Sequence, residues 1–109
     1  VIQLVGEMMT AHTALADVVD AMIIESQDLH FEGSDELSSR VLARKSVATD
    51  AVIDCARLGI EATGGMGFMR SSPLERLYRD AHGSLFHPLP AAKQLRFSGR
   101  VGVGLTPHG

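Results

Sequence analysis

Glu61-Ala-Thr-Gly-Gly-Met-Gly-Phe68, followed by Ser72-Pro-Leu-Glu-Arg-Leu-Tyr-Arg-Asp-Ala81, shows how the chain is built. Gly64 and Gly65 stand just past a long apolar-periodic run. Glycine ends helices there because it reaches left-handed backbone without a Cβ penalty. Four residues after Phe68, Ser72 offers an N-cap oxygen, Pro73 suits the first helical position, and Glu75 completes a capping box. A helix stop followed by a helix start, with no alternating strand pattern on either side, makes this junction a corner between two helices of an all-α fold.

Upstream of the corner, Leu37, Val41, Ala48, Val52, Cys55, Gly59 and Ala62 trace one helical face, and Leu42, Val47, Ala51 and Leu58 form a second apolar strip beside it. The helix they define starts after the N-cap Ser34, carries Asp35 and Glu36 in its first turn, and reaches about Ala62. Two apolar strips predict burial on more than one side, and the many small residues allow close approach of neighbouring helices. Earlier still, Leu4, Met8, Ala11, Leu15, Val18 and Met22 recur at alternating spacings of four and three, an amphipathic helix from about Ile2 to Gln27. His30 to Ser34 is the polar connection.

Downstream, a short helix runs from Pro73 to about Leu85, Pro88 and Pro90 interrupt the chain, and a fourth helix extends from about Pro90 to Val103. Residues 1–105 are thus expected to form one helical-bundle domain, and residues 106–109 a loose tail. Two long helices and two short ones do not cover each other, so an up-and-down bundle incomplete within this chain is expected, with a first helix supplied from outside it. The start of the chain in helical register at Val1, without Met or an N-cap, suggests a fragment.

Composition narrows the function. The chain has 109 residues, 45% of them hydrophobic, enough for one modest folded domain. A net charge of -3 with scattered Lys and Arg argues against nucleic-acid binding. Charges recur through the most apolar stretch, Val1 to Ile24, which excludes a membrane span there. Cys55 stands alone, so neither an intrachain disulfide nor a zinc cluster can form, and a cytoplasmic location is expected. On its apolar face Cys55 reads as an inert buried thiol, and Met8, Met9 and Met22 read as core filler. His12 and His30 have no partner at metal-ligand spacing.

Gly64, Gly65 and Gly67 could leave backbone amides uncovered for a phosphate or pyrophosphate, although glycines alone equally describe a helix C-cap. In combination, Gly-Gly-x-Gly-Phe at 64–68 and Leu-Glu-Arg-Leu-Tyr-Arg-Asp-Ala at 74–81 resemble the last domain of acyl-CoA dehydrogenases. The resemblance is densest from Lys45, at the place where that family carries a lysine, to Arg79, and covers essentially the whole chain from Val1 to Leu105.

It implies an FAD-dependent oxidoreductase of fatty acid metabolism that desaturates an acyl-CoA or related thioester at the α,β bond. Such enzymes pass electrons to an acceptor such as an electron-transfer flavoprotein and assemble as homo-oligomers, dimers or tetramers. Gly64, Gly65 and Gly67 would then meet the FAD of a neighbouring subunit. Glu61 departs from the pattern, because many members carry a glutamine there that touches the cofactor. The Arg79–Asp80 pair reads as architectural, Arg79 pairing with a carboxylate or capping carbonyls and Asp80 ordering the next loop. His82 is expected at the surface.

Where many members place the catalytic glutamate, this chain has Pro88, and no Asp or Glu follows Asp80. Three readings remain. The base could come from an earlier helix, as in isovaleryl- and long-chain-type enzymes. Alternatively, His87 could serve a flavin monooxygenase or oxidase, because Arg79, Ala81 and His87 imitate an Arg-x-Ala…His arrangement of such relatives and imidazole titrates near neutrality. The chain could also be a non-catalytic helical subunit.

Overall fold

The computed structural model describes residues 1–109 as helices and turns alone: α1 (Ile2–Ser26), α2 (Asp35–Thr63), α3 (Pro73–Ala81) and α4 (Ala91–Gly102). Short 3-10 turns at Gln27–Leu29, Gly64–Phe68 and His82–Leu85 follow the first three helices. The expected all-α architecture is therefore present, and the helix ends lie where capping chemistry puts them. Ser34 Oγ accepts from Leu37 N at 3.0 Å, and Ser72 Oγ accepts from Leu74 N at 3.2 Å. The box at Ser72 closes only halfway. The Ser72 amide, which Glu75 would have to reach, already donates to Met69 O at 2.8 Å.

α2 is the axis of the molecule. α1 runs antiparallel to it: Glu25 near the end of α1 meets Arg40 and Arg44 early in α2, at 3.0 and 2.8 Å. At the other end the Cys55 thiol lies 3.7 Å from Met8 O. α3 returns along another side of α2, with Leu74 packed 3.5 Å from where a Cβ on Gly59 would sit. α4 is pinned to α2 through Ser46, whose hydroxyl donates to Gln94 Oε1 at 2.8 Å, while Gln94 Nε2 donates onward to Ser98 Oγ at 2.9 Å. Gln94 is buried with both ends satisfied, so the pin carries no desolvation penalty.

The core collects on the C-terminal half of α2, at Thr49, Ala51, Leu58, Gly59 and Ile60, with Phe97 added from α4. Burial on several sides of α2 agrees with its two apolar strips, although Val41, Val47 and Val52 stay exposed. In α1, Leu4, Met8, Ala11, Leu15, Val18 and Met22 are all half-buried and none is fully covered. Met9 departs from its reading as core filler: it is 66% exposed, one position round the helix from the stripe that faces α2.

The last residues also differ from expectation. Gly104 takes a positive φ of 82°, Gly104 N bonds Val101 O, and Leu105 N bonds Arg100 O, the paired closure of a Schellman motif. The tail then turns back instead of hanging loose. Thr106 O accepts from Arg100 Nε at 2.6 Å, and the His108 ring meets Phe97 edge-on at 5.5 Å. No helix is long and apolar enough to cross a membrane.

Candidate functional site

The corner between α2 and α3 carries the glycines. Gly64 caps α2 with φ 69° and ψ -153°, a region essentially restricted to glycine. A Cβ on Gly64 or on Gly65 would meet nothing within 4 Å, so both open to solvent. Gly67 is different: it is buried, and a Cβ there would press on Thr63 Oγ1 and come within 3.1 Å of Ile60 Cα. Gly67 lets the turn fold flat onto the end of α2, which leaves Gly64 and Gly65 as the open members of the trio. Around them stand Met66, Phe68 and Met69, each more than 60% exposed, and the exposed cation Arg70.

Glu61 lies one turn before this corner. Its carboxylate accepts from Arg57 Nη1 at 2.8 Å, an i, i+4 pair that holds it along the α2 surface. The departure from glutamine thus introduces a charge that a neighbour on the same helix neutralises.

α3 separates the glycine turn from the second candidate. His87 lies beyond its far end, across a nine-residue helix that spans roughly 14 Å at 1.5 Å per residue. The structure therefore does not bring Gly64, Gly65 and His87 together around one point of this chain. His87 is exposed, makes no side-chain hydrogen bond, and precedes Pro88 through a cis peptide. Its loop is nevertheless anchored, since Lys45 of α2 donates its ammonium to Ser84 O, and Ser84 Oγ donates back to Ala81 O at 2.6 Å. Sequence reasoning singled out Lys45 only for its spacing; the structure shows that it ties α2 to the loop bearing His87.

Two further expectations are revised here. His82 is half-buried: its Nδ1 donates to Tyr78 O at 2.7 Å and its ring sits edge-on to Tyr78 at 4.6 Å, so it braces the end of α3. The Arg79 side chain pairs with no carboxylate but that of Asp80, and the Asp80 side chain accepts no hydrogen bond from the following loop. They approach each other only to 4.0 Å, both more than half exposed, so they are free to meet groups from outside.

A broad cleft lies elsewhere. It encloses about 690 Å³ between the α1–α2 connection and α4, with Met22, Phe31, Val41, Leu89 and Phe97 in its walls. Of the His87 loop only Leu89 reaches it. No three His, Cys, Asp or Glu side chains gather where they could hold a metal ion. Burial pushes the Cys55 thiol up from its ordinary value, with Asp54 adding to the shift, so the thiol form dominates at neutral pH.

Against this geometry, the family model described as acyl-CoA dehydrogenase, C-terminal domain, matches residues 3–89, which include α1, α2, the glycine turn, α3 and the His87 loop. No curated protein and no solved structure matches the chain.

Proposed function

The chain belongs to the acyl-CoA dehydrogenase family as its C-terminal domain, and from that premise we propose that it is the flavin-contacting and assembly segment of an FAD-dependent acyl thioester oxidoreductase. The observation that carries the reading is the corner after α2. Gly64 and Gly65 are exposed there, with open space where a Cβ on either would sit and the exposed Arg70 close by in sequence, although the Gly64 amide itself donates to Glu61 O. Gly64 and Gly65 would touch FAD, and Gly67 would shape the turn that presents them. FAD, where bound, supplies a hydride acceptor for the β-hydrogen of an acyl-CoA. Residues of this chain contribute binding and orientation, and the α-proton would go to a carboxylate from outside residues 81–109, where no Asp or Glu occurs. An acceptor such as an electron-transfer flavoprotein would be the partner for this chemistry.

Pro88 at the usual glutamate position favours a second reading, a flavin monooxygenase or oxidase of the same fold. Exposed His87, on a loop that Lys45 anchors, would there exchange a proton with substrate.

The test follows flavin absorbance of the intact protein anaerobically as saturated acyl-CoAs are added. Bleaching is expected for the dehydrogenase, and Gly65→Ala should lower flavin content while leaving the fold intact, because its Cβ enters open space. A flavin that stays oxidised with every acyl-CoA overturns desaturation, and His87→Ala then separates the oxygenase from a non-catalytic subunit by whether oxygen consumption is lost.

A further inference from the structure

Charge is divided along the chain. Every Asp and Glu lies at or before Asp80, whereas residues 81–109 hold Lys93, Arg96 and Arg100 and no acid, so a chain of net charge -3 contains a segment of +3. All three cations belong to α4, and none of them meets a carboxylate. Steps of three and four residues put them on one side of the helix.

They are not equally free. Arg100 is committed to the fold: its Nε donates to Thr106 O at 2.6 Å, and a Cβ on Gly109 would press on its guanidinium. Arg96 is exposed and holds a single neutral acceptor, Gly109 O, from Nη2 at 3.2 Å, which leaves its other N–H groups without a protein partner. Lys93 is exposed and makes no side-chain hydrogen bond.

Lys93 and Arg96 stand at a pocket of about 300 Å³ between α4 and the returning tail. Leu89, Phe97 and Pro107 give it apolar walls, and no acid lines it. The wall from the tail is fixed in place by the Arg100–Thr106 bond and by the His108 ring, which meets Phe97 edge-on at 5.5 Å. Mostly apolar walls with a few convergent polar groups are the make-up of a small-molecule site, and this volume stands at the lower end of the usual range of roughly 300–1,000 Å³.

The geometry also selects the anion. Gly109 O is a planar carbonyl oxygen. A carboxylate offers the same oxygen with charge on it, and a second oxygen for a second guanidinium N–H. Lys93, one turn earlier on α4, adds a point charge on the same side. The apolar walls call for an apolar body behind that carboxylate.

We propose that the pocket between α4 and the tail binds a small aryl or short-chain alkyl carboxylate. Its carboxylate replaces Gly109 O on Arg96 and pairs with Lys93, and its body lies against Leu89, Phe97 and Pro107. Neither the glycine turn nor His87 lines this pocket, so the flavin reading and this one stand or fall separately.

The test titrates the full, isotope-labelled chain with phenylacetate and follows the backbone amide resonances. Saturable shifts confined to residues 89–97 and 105–109 are expected. Phenylacetamide, which keeps the shape without the charge, should bind at least about tenfold more weakly, and so should inorganic phosphate, which has charge but no apolar body. Arg96→Gln should cost about tenfold in affinity and Lys93→Gln less, because the guanidinium binds through a fork and the ammonium as a point charge. Arg76→Gln, at an exposed cation of α3, should change nothing. Shifts that stay linear in phenylacetate, or that follow Arg70 and Arg76 as closely as Arg96, overturn the proposal. Equal binding of phenylacetamide would leave only an apolar crevice, and equal binding of phosphate only a cationic patch; either result overturns it too. If Arg96→Gln does not fold, the three probes compared on the unaltered chain decide the matter alone.

Discussion

At the scale of single residues, three glycines five residues or fewer apart do different work. Gly64 holds a backbone conformation that a side chain resists, Gly65 borders open space, and Gly67 lies against α2. Gly67→Ala should lower stability by roughly 1–3 kcal/mol through overpacking against Ile60 and Thr63, whereas Gly65→Ala should leave the melting temperature unchanged; thermal unfolding of the two variants side by side checks both. Cys55 offers a second check. Its ionisation is suppressed by burial and by Asp54, so alkylation by iodoacetamide at neutral pH should be slower than for a cysteine peptide. The raised folded value also fixes the sign of its pH linkage: the stability it contributes is present below the ordinary thiol range and is lost as pH rises through the folded value. The glycine stop after α2 was legible in the sequence, and Cys55 was legible as a thiol on an apolar face, though it is half-buried and not fully covered. The roles of Glu61 and His82 were not, because each depends on a partner one turn away, Arg57 and Tyr78, that spacing permits but does not select.

Among the elements, the helices declared themselves through Ser34, Ser72, Pro73 and the glycine stop, all of which act on backbone groups within a few residues. The end of α1 gave no such signal. Gln27, Asp28 and Leu29 all take positive φ, from 48° to 68°, without a glycine among them. Left-handed backbone costs roughly 1–2 kcal/mol at an ordinary L-residue, so this turn is held by what flanks it, the Glu25 contacts with Arg40 and Arg44 above all. Asp28→Gly should therefore raise stability by about 1 kcal/mol, read as a melting temperature a few degrees higher. An unchanged or lowered value would show that the Asp28 side chain stabilises the turn. The Lys45 tie escaped the sequence for a related reason: its acceptor is a backbone carbonyl 39 residues away, and carbonyls carry no sequence signature.

For the molecule as a whole, shape and exposure agree. The radius of gyration is 16.5 Å, against about 13 Å for a compact domain of roughly 100 residues. Only eight of 109 residues are buried. An elongated hairpin with so small a core needs external cover, which the two-long, two-short helix count already implied. Periodicity marked which positions of α1 are apolar, but could not tell the covered stripe from the open one, because both repeat at helical spacing.

The central place of α2 has a consequence in time. The Glu25 contacts with Arg40 and Arg44 span only 15 and 19 residues, whereas the Ser46–Gln94 bond spans 48, and contacts close in sequence are the ones that form fastest. The Glu25 end of the α1–α2 hairpin is held by residues of those two helices alone, whereas Gly59 also faces Leu74 and Ser46 bonds Gln94. The glycine turn, α3 and the His87 loop then settle onto a surface already in place. The parts of the chain that would meet cofactor or substrate are thus expected to exchange their amide hydrogens faster than the α1–α2 hairpin does.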